Sequence, residues 1–106
     1  MSDQNIRINA PLLDKFVSHT VRIVGKVTDV RGDTAVIDAK GPITLILGRD
    51  DNLTVGNGVE LIGRVQQGLE VKVLTSWDLG DGVDYNLQDA VVDVAHRHKT
   101  LFYDAN

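Results

Sequence analysis

Between Thr20 and Trp77 apolar and polar residues alternate in short runs, and beyond Gly82 the spacing changes to that of a helix. Thr20–Val30 sends Val21, Ile23 and Val27 to one side and Arg22, Lys26 and Thr28 to the other, as the two-residue period of a strand requires. Thr34–Ala39 groups Ala35, Ile37 and Ala39; after the Lys40-Gly41-Pro42 break, Ile43–Leu47 resumes the pattern. Val59–Val65 sets Val59, Leu61 and Val65 against Glu60 and Arg64. Leu69–Trp77 places Leu69, Val71, Val73 and Trp77 inward against Glu70, Lys72 and Ser76, so core packing is the expected role of Trp77. Arg31-Gly32-Asp33 and Gln67-Gly68 read as turns, and Gly48–Asn57, long for a hairpin, as a short helical turn or an ordered loop. Ahead of the first strand, Met1–Ala10 is polar, with Ile6 and Ile8 available to pin it down. Pro11–Val17 predicts a short helix with Leu12, Leu13 and Phe16 on one face.

Five strands grouped as three and two are few for a sandwich but enough for a small closed barrel. Gly25 and Gly63, mid-strand in the two longest candidates, suit its sharp corners. An all-β, OB-type barrel over about residues 10–79 is the simplest architecture that uses these elements. Each strand also carries one apolar residue on its outer side: Val24, Val36, Ile46, Ile62 and Leu74. We expect the N-terminal segment and one stripe of a terminal helix to cover part of that surface.

That helix is predicted over about 83–103, after the Leu79-Gly80-Asp81-Gly82 hinge. At about 100° per residue, Val83, Leu87, Ala90, Val91, Val94, His98, Leu101 and Phe102 fall in a stripe roughly 120° wide. Tyr85, Val92 and Tyr103 fall on the other side, beside His96. A helix that only covers its own domain needs one apolar stripe. Two stripes predict that one packs on the rest of the chain and the other meets a partner; the plainer alternative is that both are satisfied within the monomer. Asp84 and Asp89 near the start, and Arg97 and Lys99 near the end, complement the helix dipole.

Composition narrows the functions. A chain of 106 residues is one domain, and 11 Lys and Arg against 15 Asp and Glu leave a net charge of −4, without the overall basic field of a free-standing nucleic-acid binder. Lys26, Arg31, Lys40 and Arg49 are weak candidates for phosphate contacts at one mouth of the barrel, with a solvated surface as the plainer account of them. The second and third strands carry no aromatic residue on which bases would stack. There is no cysteine, and no apolar run approaches the roughly 20 residues of a membrane span. With no secretory segment read at its start, the chain is expected to be intracellular, and the Asn52-Leu53-Thr54 sequon has little support as a glycosylation site.

Arg31-Gly32-Asp33 matches an integrin-binding tripeptide but is explained by a strand-connecting turn. Asp78, Asp81 and Asp84 miss EF-hand ligand spacing and read as a polar hinge. His96 and His98, two apart on a helix, point about 200° from each other and cannot share a metal; each is expected to pack at its own seam. No P-loop, nucleophile elbow or His-Glu-x-x-His motif is present, and Ser18-His19 adjacency does not make a dyad. No catalytic residue, metal or cofactor is expected.

Four stretches taken in order resemble one family. They are Arg7-Ile8-Asn9-Ala10 with Leu12-Leu13 and Phe16-Val17; Val21-Arg22-Ile23-Val24-Gly25-Lys26-Val27; Arg31-Gly32-Asp33-Thr34-Ala35; and Val55-Gly56-Asn57 through Glu60-Leu61-Ile62-Gly63-Arg64-Val65. Their order and spacing, with Ala90-Val91-Val92 in the terminal helix, are similar to the smallest subunit of replication protein A, the eukaryotic single-stranded-DNA-binding heterotrimer, especially its fungal forms. The resemblance implies an OB-fold followed by a helix that joins one helix from each of the middle and large subunits in a three-helix bundle. It implies a nuclear protein of replication, repair and recombination, with DNA bound mainly through those larger subunits. Two alternatives stay open: the small OB subunit of a telomere-capping complex, and an autonomous single-strand binder.

Overall fold

The computed structural model describes residues 6–97. Six strands occur in chain order: β1 (Ile6–Arg7), β2 (Thr20–Arg31), β3 (Thr34–Asp38), β4 (Pro42–Ile46), β5 (Gly58–Val65) and β6 (Val71–Gly80). A 3-10 helix over Ala10–Lys15 precedes β2, and the helix α1 (Tyr85–Arg97) follows β6. The strands are ordered β1-β2-β3-β4-β6-β5, and a further β2–β5 pairing closes β2 to β6 into a ring. Within that ring only β4–β6 is parallel; β1 is added parallel to β2 outside it. This is the expected small closed architecture followed by a helix, with Ile6 held in the short extra strand β1 and Ile8, 1% exposed, in the core.

Ring closure rests on β2, whose first half pairs with β5 and second half with β3, the exchange falling at Lys26. Gly25 sits at that corner because a side chain would not fit: a Cβ there would lie 2.9 Å from the Asp38 carbonyl oxygen and 3.0 Å from Ile37 Cδ1. Inside the ring the alternation read from the sequence places Val21, Ile23, Ile37, Leu45, Leu61 and Val71 at 0–1% exposure. Burying a side chain of this size contributes about 1.5–3 kcal/mol. Gly48–Asn57 forms an ordered loop, closed by the Gly48 N–H donating to Asp51 Oδ2 (2.7 Å) and tied to β6 by Ser76 Oγ donating to Asp51 Oδ1 (3.1 Å).

β6 corrects two expectations. Leu69 lies in the turn before the strand, at φ 70° and 40% exposed, rather than in the core. Trp77 is 44% exposed and faces outward. The cause is a bulge: Gly63 pairs with Val73 and Ile62 with Thr75, so Leu74 is an extra residue in the ladder. Before it, Val71 and Val73 point inward; after it, Ser76 stands opposite buried Leu61, and Trp77 stands opposite Glu60 on the outer face. Gly63 permits the close approach, since a Cβ there would lie 2.5 Å from Val71 Cγ1 and 2.7 Å from the Lys72 carbonyl oxygen.

Candidate assembly face

The hinge after β6 turns the chain back across the outer side of β2. Gly80 adopts φ +74° at the end of the strand, and Val83 then packs onto Gly58 at the start of β5. Asp84 caps α1: its Oδ1 accepts the Leu87 N–H at 3.0 Å, and its carbonyl oxygen accepts the Gln88 N–H at 3.1 Å. Asp78, on the other side of the hinge, accepts a hydrogen bond from Asn57 Nδ2 (3.1 Å).

The described part of α1 is divided into two faces. Val92 and Ala95 are buried, at 8% and 7% exposure, and Tyr85, Gln88, Asp89 and His96 beside them are half-buried. Val24, one of the outward apolar residues of the strands, shares clefts with Tyr85, Gln88, Asp89 and Val92 and so lies under the helix. Burial raises the Tyr85 phenol above its ordinary pKa of 10.0. The far end of the helix is fixed by His96, whose Nε2 lies 2.7 Å from the Arg7 carbonyl oxygen. Its ring also meets Phe16 edge-on, with centroids 5.6 Å apart.

On the opposite face Leu87, Val91 and Val94 are 57%, 40% and 41% exposed, with Ala90 exposed beside them. Positions i, i+4 and i+7 make one continuous stripe, the pattern by which a helix anchors in an apolar partner. Of the residues assigned to a subunit interface from the sequence, the structure therefore gathers Leu87, Ala90, Val91 and Val94 outward. Val83, Tyr85 and Val92 stand on the side of their own ring, and His98, Leu101 and Phe102, with Tyr103, lie outside the described residues.

The four candidate phosphate ligands separate into two places. Lys26 and Lys40 line one cleft beside the start of α1, together with Asp38 and Asp89. Arg31 is at the tip of the β2–β3 hairpin, its Nε donating to Asp29 Oδ2 at 2.8 Å, and exposed Arg49 is in the loop after β4.

A cluster of cations on the outer face of the ring was not singled out from the sequence. Arg7 and Arg22 both donate from Nη1 to Glu60 Oε2, at 3.2 and 3.1 Å, and the Arg22 guanidinium carbon lies 5.7 Å from the Trp77 ring centroid. These residues are brought together from four strands, and no local pattern announces them. Ala95 was also missed, for want of a side chain large enough to mark a stripe.

Known proteins share this architecture. The family described as Replication factor A protein 3 matches residues 1–102. Replication factor A protein 3 of Schizosaccharomyces pombe is 31% identical over 98 residues, covering 92% of this chain and 94% of its own. A chain in the structure of U. maydis replication protein A bound to ssDNA superposes with a TM-score of 0.91 at 28% identity, covering 98% of this chain and 100% of that one. A chain of the S. pombe Stn1–Ten1 complex superposes with a TM-score of 0.75 at 16% identity, over 92% of this chain and 97% of that one, which is a likeness of fold.

Proposed function

This chain belongs to the Replication factor A protein 3 family, and from that premise we propose that it is the small structural subunit of a heterotrimeric single-stranded-DNA-binding complex. The observation that supports the reading is the stripe of Leu87, Val91 and Val94, left exposed on a helix whose other side is already anchored. In this reading the stripe joins one helix from the middle and one from the large subunit in a three-helix bundle. Full burial of each large aliphatic group contributes about 1.5–3 kcal/mol. Association takes back several kcal/mol in lost freedom, and anchoring α1 beforehand reduces the ordering part of that cost. The chain acts as a scaffold rather than an enzyme, in the nucleus, during DNA replication, repair and recombination.

Most of the DNA affinity belongs to the partners, since β3 and β4 carry no aromatic side chain here. The likeness to the Stn1–Ten1 chain is one of fold and leaves the replication complex the better supported of the two assemblies.

A native pull-down from nuclear extract tests the assignment, comparing the full chain, a chain ending at Gly82 and the variant Leu87→Asp/Val91→Asp/Val94→Asp. Two larger OB-containing proteins are expected with the full chain and with neither of the others. Their recovery by a folded triple variant overturns the placement of the interface, and recovery of neither by the full chain overturns the assembly role.

A further inference from the structure

The cations around Trp77 extend further than the contacts to Glu60. Strand register places three rows across the outer face of β2, β5 and β6: Thr20–Arg64–Lys72, Arg22–Ile62–Thr75 and Val24–Glu60–Trp77, with Arg7 beside Arg22. Arg7, Arg22, Arg64 and Lys72 thus share one face with a single carboxylate, Glu60, in a chain whose net charge is −4. Asp89 of α1 borders the patch at the Arg7–Arg22 side. Arg64 and Lys72 are exposed and have no ion-pair partner among the described residues. Arg7 and Arg22 each spend one guanidinium nitrogen on Glu60, which leaves further N–H donors on both. The patch therefore runs from the exposed Trp77 indole, with the Arg22 guanidinium beside it, to Arg64 and Lys72 two rows away.

We propose that this outer face of β2, β5 and β6 is a contact surface for single-stranded nucleic acid, with Trp77 stacking a base and Arg22, Arg64 and Lys72 facing phosphates. The indole, backed by the Arg22 guanidinium and 44% exposed, offers the flat surface on which any base stacks. From the Glu60 row to the Arg64 row is four residues of β5, about 13 Å of strand, which accommodates a short extended segment. A stable protein interface would be poorer in charge at its centre than this face is. An acidic peptide would satisfy the cations but leave the indole unused. The surface lies apart from β3 and β4, where aromatic residues are lacking. It goes beyond the assembly role and requires no partner subunit, so either reading can fail without the other.

Trp77 is the only tryptophan in the chain, so its fluorescence reports this site alone. The full chain is titrated with a short oligo(dT) at low salt. Quenching is expected, with binding that weakens on a log–log salt plot by about 0.7 per phosphate neutralised. Arg64→Ala/Lys72→Ala should lower that slope by about 1.4, and Lys26→Ala/Lys40→Ala should leave it unchanged. Trp77→Ala, followed by anisotropy of a labelled oligo(dT), should bind about tenfold or more weakly. Circular dichroism checks the fold of each variant; should Trp77→Ala not fold, the exposed pair Arg64→Gln/Lys72→Gln carries the test through the same slope. Absence of quenching at low salt overturns the proposal, as does quenching indifferent to salt and to the Arg64/Lys72 changes. Equal quenching by poly-glutamate also overturns it, in favour of an acidic-peptide surface.

Discussion

His96 and Arg7 are joined by a 2.7 Å hydrogen bond across a sequence separation of 89 residues. The Arg7 carbonyl can only accept, so His96 Nε2–H is the donor of this bond. The bond ties the last described turn of α1 to β1, which β2 in turn holds by parallel pairing at Ile6 and Arg7.

His96→Ala should therefore loosen the helix from the ring. It removes a hydrogen bond worth about 1 kcal/mol and an edge-on contact to Phe16 worth about 0.5–1.5 kcal/mol. A fall in Tm of several degrees is expected, with faster amide exchange concentrated in α1. Exchange in α1 that stayed at the wild-type rate would show the anchor to be dispensable.

The start of the helix has a different sensitivity. A Cβ at Gly58 would lie 2.5 Å from Val83 Cγ2 and 2.9 Å from the Tyr85 hydroxyl, whereas one at Gly82 would meet nothing within 4 Å. Gly58→Ala should cost about 1–3 kcal/mol through overpacking and should weaken partner recovery, because the displaced hinge misdirects α1. Gly82→Ala should do neither. Denaturant midpoints of the two variants decide the matter.

Two outward apolar residues of the strands should respond oppositely to charge. Val24 is half-buried against α1, while Leu74, on the bulge, is 58% exposed. Val24→Asp places a carboxylate in that contact and should destabilise the chain by about 1–3 kcal/mol; Leu74→Asp should be close to neutral. Equal midpoints for both would mean that α1 does not shield β2.

Tyr85 gives a pH signature. Burial raises its phenol in the folded state, so the folded chain holds the proton more tightly than the unfolded one above the ordinary pKa of 10.0. Stability should thus be level in this respect below that pH and should decline as pH rises beyond it, towards the folded-state pKa. The decline is small, because the hydroxyl remains partly solvated. Tyr85→Phe should remove the alkaline component; an unaltered profile would place the phenol in bulk water.

Much of the ring was legible in two-residue alternation, because Val21, Ile23 and Val27 share one parity ahead of the register shift between Val27 and Asp29. Ile37 in β3 and Leu61 in β5 likewise lie in strands whose burial alternates, in β5 from Val59 onward. Trp77 was misassigned because one extra residue, Leu74, reverses parity, and that insertion is defined by the partner strand at Gly63 rather than by β6 itself. Leu69 was misassigned because a positive φ keeps it in the turn. The two-sided character of α1 was visible in its helical period. Which side lies on the ring was not, since it depends on Phe16 and Arg7, distant residues that meet His96 only after the ring closes. The cations beside Trp77 were hidden for the same reason: their proximity comes from pairing among β1, β2, β5 and β6.

The anchor at His96 and the packing of Val92 and Ala95 also fix the azimuth of α1. A free amphipathic helix presents every side to a passing molecule, and an encounter must wait for a favourable roll about its axis. Here roll is settled before any encounter, with Leu87, Val91 and Val94 turned permanently outward. An approaching helix has only sliding and tilt left to search, so the fold of the ring sets the angle at which neighbours are received.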